Sequence, residues 1–119
     1  MVFKADVGAW LKMDLDTAWV EKNIRWKDFG NGSRLGKVHR DGGAGLVLYH
    51  VRADAGEDAF QPHTHTGGEA YLVLRGEVYD DEGPYPAGNI VWMEPGSRHT
   101  PRTRGDTWIL VLWPGGVEA

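Results

Sequence analysis

What most constrains the fold of this chain is how often it has to turn. Its 119 residues include 17 glycines and 6 prolines, spread without a repeat period. Glycine supplies the positive backbone φ that tight turns demand, so glycine at this level divides a chain into many short segments. Between the breaks the residues read as strands. Ser33–Arg40 is closed by Asp41, Gly42 and Gly43. Leu46–Arg52 is apolar and β-branched enough to be buried on both faces. Asp54 to Asp58 then turn the chain. Ala70–Leu74 and Glu77–Tyr79 flank Arg75 and Gly76, which read as a tight turn or a bend. Gly83, Pro84 and Pro86 to Asn89 break the chain before Ile90–Met93, and Thr107–Trp113 is the last strong strand. Helical periodicity is confined to Leu15–Ile24, where Asp14 or Asp16 offers a cap, and residues 1–30 hold extension strands or that one short helix. Strands about ten residues apart, separated by Gly, Pro and Asp turns, predict an all-β sandwich or barrel.

A chain of this length makes one domain, residues 1–119, burying roughly 60–70% of the surface its unfolded form exposes. Its 13 basic and 17 acidic side chains give 13 − 17 = −4. No two Lys or Arg residues are adjacent, so the electrostatic footprint of a nucleic-acid binder is missing. No apolar run approaches the ~18 residues of a membrane span, and the N-terminus is not signal-like. Zero cysteines exclude disulfides, thiolate metal sites and thiol nucleophiles, and fit a reducing compartment. The expectation is a soluble, cytoplasmic protein that binds neither nucleic acid nor membrane.

Three of the five histidines lie in two tight contexts, Gln61-Pro62-His63-Thr64-His65-Thr66-Gly67-Gly68-Glu69 and Glu94-Pro95-Gly96-Ser97-Arg98-His99. On an extended strand, residues two apart share a face with about 6.6 Å of rise between them, so His63 and His65 can converge on one ion. Short polar loops also carry such pairs. Glu69 has the same parity, and a turn through Gly67 and Gly68 lets its carboxylate swing back. A third imidazole from His99 on a neighbouring strand would complete three nitrogens and one oxygen. That donor set suits a first-row divalent metal such as Fe, Zn, Mn, Ni or Cu. It leaves one or two coordination positions for water or substrate, as Lewis-acid or oxygen chemistry requires.

Gly56-x6-His63-x-His65-x3-Glu69-x6-Gly76 resembles the first cupin motif, with one extra residue before the first histidine. Gly88-x6-Pro95-Gly96-x2-His99 resembles the second, with proline and glycine adjacent and Thr103 where asparagine is common. The match covers about residues 45–113. Within cupins, Pro-His-x-His-x-Gly-Gly-Glu and Pro95-Gly96-Ser97-x-His99-x-Pro101 are similar to the ChrR-type branch. That branch holds the metal-binding domain of certain anti-sigma factors and, as a relative, an acetylacetone-cleaving dioxygenase with a three-histidine iron centre. The resemblance implies a double-stranded β-helix, a small jelly-roll barrel, with His63, His65, Glu69 and His99 as ligands. It makes Gly56, Gly76, Gly88 and Gly96 motif turns. The chain has neither the length nor the cysteines expected of a complete anti-sigma factor, and Glu69 departs from the three-histidine pattern.

In a barrel, alternate residues face inward. Tyr71 and Val73 share parity with Glu69, and Trp92, Phe60 and Tyr49 are further candidate walls of a pocket for a small, partly apolar ligand. His39 and His50 stand outside the motifs and read as structural or surface residues. Arg98, Arg102 and Arg104 read as a solvated basic group. Two functions remain: a metal-dependent enzyme, of dioxygenase type, and a non-catalytic metal or ligand sensor. Six tryptophans exceed what one small core readily absorbs, and cupins usually pair through edge strands, so a homodimer is expected.

Overall fold

The structure, a computed structural model, describes residues 24–41, 44–55, 63–64 and 67–114. Most of the expected helix at Leu15–Ile24, together with Gly56, Phe60 and His65, lies outside the described residues. The described part is all-β: β1 (Arg25–Asp28), β2 (Ser33–Asp41), β3 (Ala44–Val51), β4 (His63–Thr64), β5 (Glu69–Asp80), β6 (Gly83–Pro86), β7 (Ile90–Met93), β8 (Arg98–His99) and β9 (Arg102–Trp113). No helix occurs among these residues, and hence none long and apolar enough to cross a membrane.

Seven strands form one antiparallel sheet in the order β1-β2-β3-β9-β5-β6, with β7 also paired to β5. β4 and β8 make a separate antiparallel pair. The spine is β5 against β9, which run together from Ala70↔Leu112 to Tyr79↔Arg102. Of the tight turn or bend expected at Arg75 and Gly76, the structure has the bend, inside one continuous strand. Register shifts fall at Val73/Arg75 and Arg75/Glu77, and Gly76 has φ +76°. A Cβ at Gly76 would lie 2.7 Å from the Asp106 carbonyl oxygen and 2.8 Å from Thr107 Cα, so the bend requires glycine both for its φ and for its close approach to β9. The first half of β5 pairs with β7 and the second half with β6.

Of the break expected at Gly83, Pro84 and Pro86 to Asn89, the chain turns at residues 87–89, whereas Gly83–Pro86 is instead strand β6. Its two prolines pair opposite Tyr79 and Glu77, and β6 has β5 as its one partner strand among the described residues. Proline donates no ladder hydrogen bond, so an edge position is where a strand tolerates it.

Both faces of the sheet are apolar. One carries Val47, Tyr71, Val73, Val78, Ile109 and Val111, all buried. The other carries Ile24, Leu48, Leu74 and Trp108, with Trp26, Leu72 and Leu110 packed against them. Alternation along β3, β5 and β9 distributes these side chains between the faces, as a two-sided strand requires. Fully burying side chains such as Leu48 and Val73 contributes about 1.5–3 kcal/mol each.

On the second face His50, 6% exposed, stacks on Trp108 with centroids 3.9 Å apart. Its Nδ1 accepts from Arg34 Nε at 3.0 Å, so Nε2 carries the proton and donates to Asp106 Oδ1 at 2.8 Å. Asp106 also accepts from Trp108 Nε1 at 3.0 Å, and the Arg34 guanidinium lies 4.0 Å over the Trp26 ring. The structural role expected of His50 is thereby explained, as is the use of two tryptophans.

Candidate metal and ligand site

The first face of the sheet ends in polar groups. Glu69 opens β5 and is 4% exposed, preceded by Gly68 with φ +87°. A Cβ at Gly68 would meet the Trp92 ring at 2.6 Å, so the turn before Glu69 can be that tight only with glycine. Parity holds along the strand: Glu69, Tyr71 and Val73 are all buried.

His99 arrives from the other sheet. In the β4–β8 pair His63 is the Cα partner of His99 and Thr64 of Arg98, so the two histidine contexts, 36 positions apart in sequence (99 − 63 = 36), adjoin through their backbones. The His99 side chain is 10% exposed and Glu69 6%, and His99 Nε2 lies 3.8 Å from Glu69 Oε1. The other Glu69 oxygen accepts from Trp113 Nε1 at the end of β9, which turns Oε1 towards His99. The opposite nitrogen of His99, Nδ1, lies 3.5 Å from Asp80 Oδ2 at the far end of β5. The bend at Gly76 allows the two ends of one strand to serve the same imidazole.

Asp80 is held by the β5–β6 turn. Its Oδ1 accepts from the backbone N–H groups of Glu82 at 2.9 Å and Gly83 at 3.1 Å, and from the Tyr85 hydroxyl at 3.1 Å. Tyr71 packs edge-on against Tyr85 with centroids 6.2 Å apart. The Tyr71 hydroxyl is buried with no hydrogen-bond partner among the described residues. Burial first, then the charges of Asp80 and Glu69 and the neighbouring Tyr85, raise its pKa far above the ordinary tyrosine value. It is a neutral phenol that keeps its proton. Burial likewise raises Tyr85 and Tyr49.

Of the candidate site residues, Glu69, Tyr71 and His99 therefore come together, and Tyr49 packs against the same apolar cluster while stacking on Phe29 at 6.2 Å. Trp92 stands over Gly68, 55% exposed, apart from the residues packed around Tyr71. His63 contributes its backbone pairing, and Phe60 and His65 lie outside the described residues. Among the described residues no group of three or more His, Asp or Glu side chains is arranged to hold a metal ion. A cavity of about 620 Å³ opens beside His99, lined in part by Asp80, Met93, Ser97, Arg98 and Arg102. Arg98 and Arg102 are exposed, and Arg104 pairs with Glu77 while covering the Tyr79 ring at 4.0 Å.

Sequence reasoning missed Trp113, Asp80 and Tyr85. The Asp-x-x-Gly spacing of Asp80 and Gly83 signals a turn, but only the bend in β5 tells that this turn comes back to His99.

Residues 16–117 match the family model described as the ChrR cupin-like domain. Among solved structures the chain is similar to one in the complex of Rhodobacter sphaeroides SigE with the anti-sigma ChrR. The identity is 28% and the TM-score 0.66, over 77% of this chain and 49% of that one. It thus spans about half the length of that relative. An RmlC-like cupin from Shewanella frigidimarina NCIMB 400 is 16% identical over 80% of this chain and 86% of its own, with TM-score 0.67. The acetylacetone dioxygenase from Acinetobacter johnsonii is 12% identical over 82% of this chain and 71% of its own, also with TM-score 0.67. At those last two identities the likeness is one of fold. No curated protein sequence matches.

Proposed function

This chain belongs to the ChrR cupin-like family, and from that premise we propose that it binds a first-row divalent metal on His63, His65, Glu69 and His99 and takes a small molecule at a remaining coordination position. The observation that carries the reading is the approach of His99 Nε2 to Glu69 Oε1, 3.8 Å apart, with side chains 10% and 6% exposed. Two donors at that separation, one imidazole and one carboxylate, suit a borderline-to-hard divalent ion. The backbone pairing of His63 with His99 supports a third donor nearby. When bound, such an ion supplies Lewis acidity and a binding position for a chelating oxygen ligand. The protein's own part is to orient the donors through Trp113, to exclude water with Val47, Val73 and Ile109, and to offer the protonated Tyr71 hydroxyl as a hydrogen-bond donor. The cavity beside His99 gives a small molecule access.

Catalysis of dioxygenase type and ligand sensing diverge at the coordination sphere. The 28% identity to a chain of the SigE–ChrR complex favours the sensing reading as the second one. Iron in protein purified without added metal, with oxygen uptake on a panel of dicarbonyl compounds, supports the enzyme; tight zinc without turnover overturns it and leaves the sensor. His65→Ala is expected to lower metal content sharply, and full stoichiometry in that variant would refute the ligand assignment. The reading includes a cytoplasmic location, in keeping with a cysteine-free chain, and a homodimer, supported by exposed apolar residues on β7.

A further inference from the structure

We propose that Asp80 is a positioning residue for His99, holding the imidazole as the tautomer protonated on Nδ1 so that Nε2 faces Glu69 with its lone pair available to a metal ion. The proposal rests on the metal-binding reading above for its purpose, and on three observations for its geometry. Asp80 Oδ2 and His99 Nδ1 are 3.5 Å apart, with side-chain exposures of 8% and 10%. The carboxylate is fixed independently of His99, because Oδ1 already accepts from the Glu82 and Gly83 N–H groups and the Tyr85 hydroxyl. With Oδ1 committed to the turn, Oδ2 is the oxygen presented to the ring. On the far side of the ring, Nε2 points towards Glu69 Oε1.

A carboxylate oxygen accepts, so Asp80 Oδ2 next to Nδ1 selects the N–H form there. In a neutral imidazole that leaves Nε2 as the unprotonated nitrogen, the form that ligates. Partners of this kind on the remote nitrogen of a ligating histidine fix ring orientation and raise basicity. The competing arrangement is purely structural: Nε2 keeps the proton and donates it to Glu69, and Asp80 only caps its turn. The two differ in where one proton sits.

Asp80→Asn separates them. The asparagine carbonyl oxygen can keep the three turn bonds, whereas its amide nitrogen would face His99 as a donor and demand an acceptor at Nδ1, driving the proton to Nε2. Long-range proton–nitrogen NMR on metal-free protein labelled at histidine, with the His99 signals identified by their loss in His99→Gln, reads the tautomer directly. We expect the Nδ1–H form in the unsubstituted protein and the Nε2–H form in Asp80→Asn. Chelator competition with Zn²⁺ is expected to show a loss of affinity of roughly 10–100-fold in the variant. An Nε2–H tautomer in the unsubstituted protein, or equal Zn²⁺ affinity of the two proteins, overturns the proposal. If the unsubstituted protein binds no metal, the functional reading falls, and the tautomer still decides the role of Asp80. That measurement on the unsubstituted chain also stands if Asp80→Asn fails to fold.

Discussion

Tyr71 shows most clearly how one atom can work against the fold. Its ring packs with Val47, Val73 and Ile109, yet its hydroxyl is buried without a partner among the described residues. Leaving such a group unpaired costs about 1–3 kcal/mol, a cost that a bound ligand bearing an acceptor oxygen would offset. Replacing it by phenylalanine keeps the ring and removes the orphan. Tyr71→Phe is therefore expected to raise the free energy of unfolding in urea by about 1–3 kcal/mol at neutral pH, and to weaken binding of an oxygen-bearing ligand. The sign of the pH dependence follows from the raised pKa of the folded state. Stability associated with the neutral phenol is fully present below the unfolded value near 10, and is lost as the pH climbs above it, because only the unfolded chain then releases the proton. The advantage of Tyr71→Phe over the unsubstituted protein should thus widen above about pH 10. Urea curves that give the variant lower stability, with a gap that does not change between pH 7 and pH 11, would show that the hydroxyl is satisfied in the folded state.

At the scale of the element, β5 carries the site because it bends. Gly76 takes φ +76° and lets the strand press against β9 where a Cβ would collide with the Asp106 carbonyl and with Thr107. A non-glycine residue in this region of φ costs of order 1–3 kcal/mol before any collision is counted. Gly76→Ala is therefore expected to lower the free energy of unfolding by at least about 1–3 kcal/mol and to pull Asp80 away from His99. A loss below 0.5 kcal/mol, roughly the range of neutral surface changes, would mean that the bend does not depend on glycine. The same element marks how far sequence reasoning reached. Alternation showed that Glu69, Tyr71 and Val73 share a face, because strand parity is a local property. It also located most strand segments, since each sits between glycine or proline turns. It did not show that Ala70–Leu74 and Glu77–Tyr79 are one strand, nor that Gly83–Pro86 pairs at an edge, because register against β9 and β5 is a tertiary fact. Asp80 and Trp113 escaped for the same reason. Their parts in the site come from the Gly76 bend and from the β9 register, which no window along the chain contains.

Among the described residues the seven-stranded sheet has two apolar faces, and they are finished differently. The face with Tyr71 closes around the candidate site. The other is covered by Trp26 and Ile24 at its β1–β3 side, but it runs on to Leu112, 42% exposed, and to Ile90 and Trp92 on β7, 76% and 55% exposed. Register makes these one surface: Ile90 pairs with Leu72 and Leu72 with Leu110, while Trp92 pairs with Ala70 and Ala70 with Leu112. Contiguous apolar surface of this kind marks an interface more often than a solvent face. β7 also has β5 as its one partner strand among the described residues, so its outer edge can meet the same edge of a second copy across a two-fold axis. The self-complementary surface then buries Ile90 and Trp92 on both copies at once. Light scattering is expected to give twice the chain mass at micromolar concentration. Ile90→Asp, which places a charge at the most exposed apolar position of that surface, is expected to give a single-chain mass with an unchanged melting profile for the monomer core. A single-chain mass for the unsubstituted protein across the concentration range, or a dimer that survives Ile90→Asp, would exclude this face as the site of pairing.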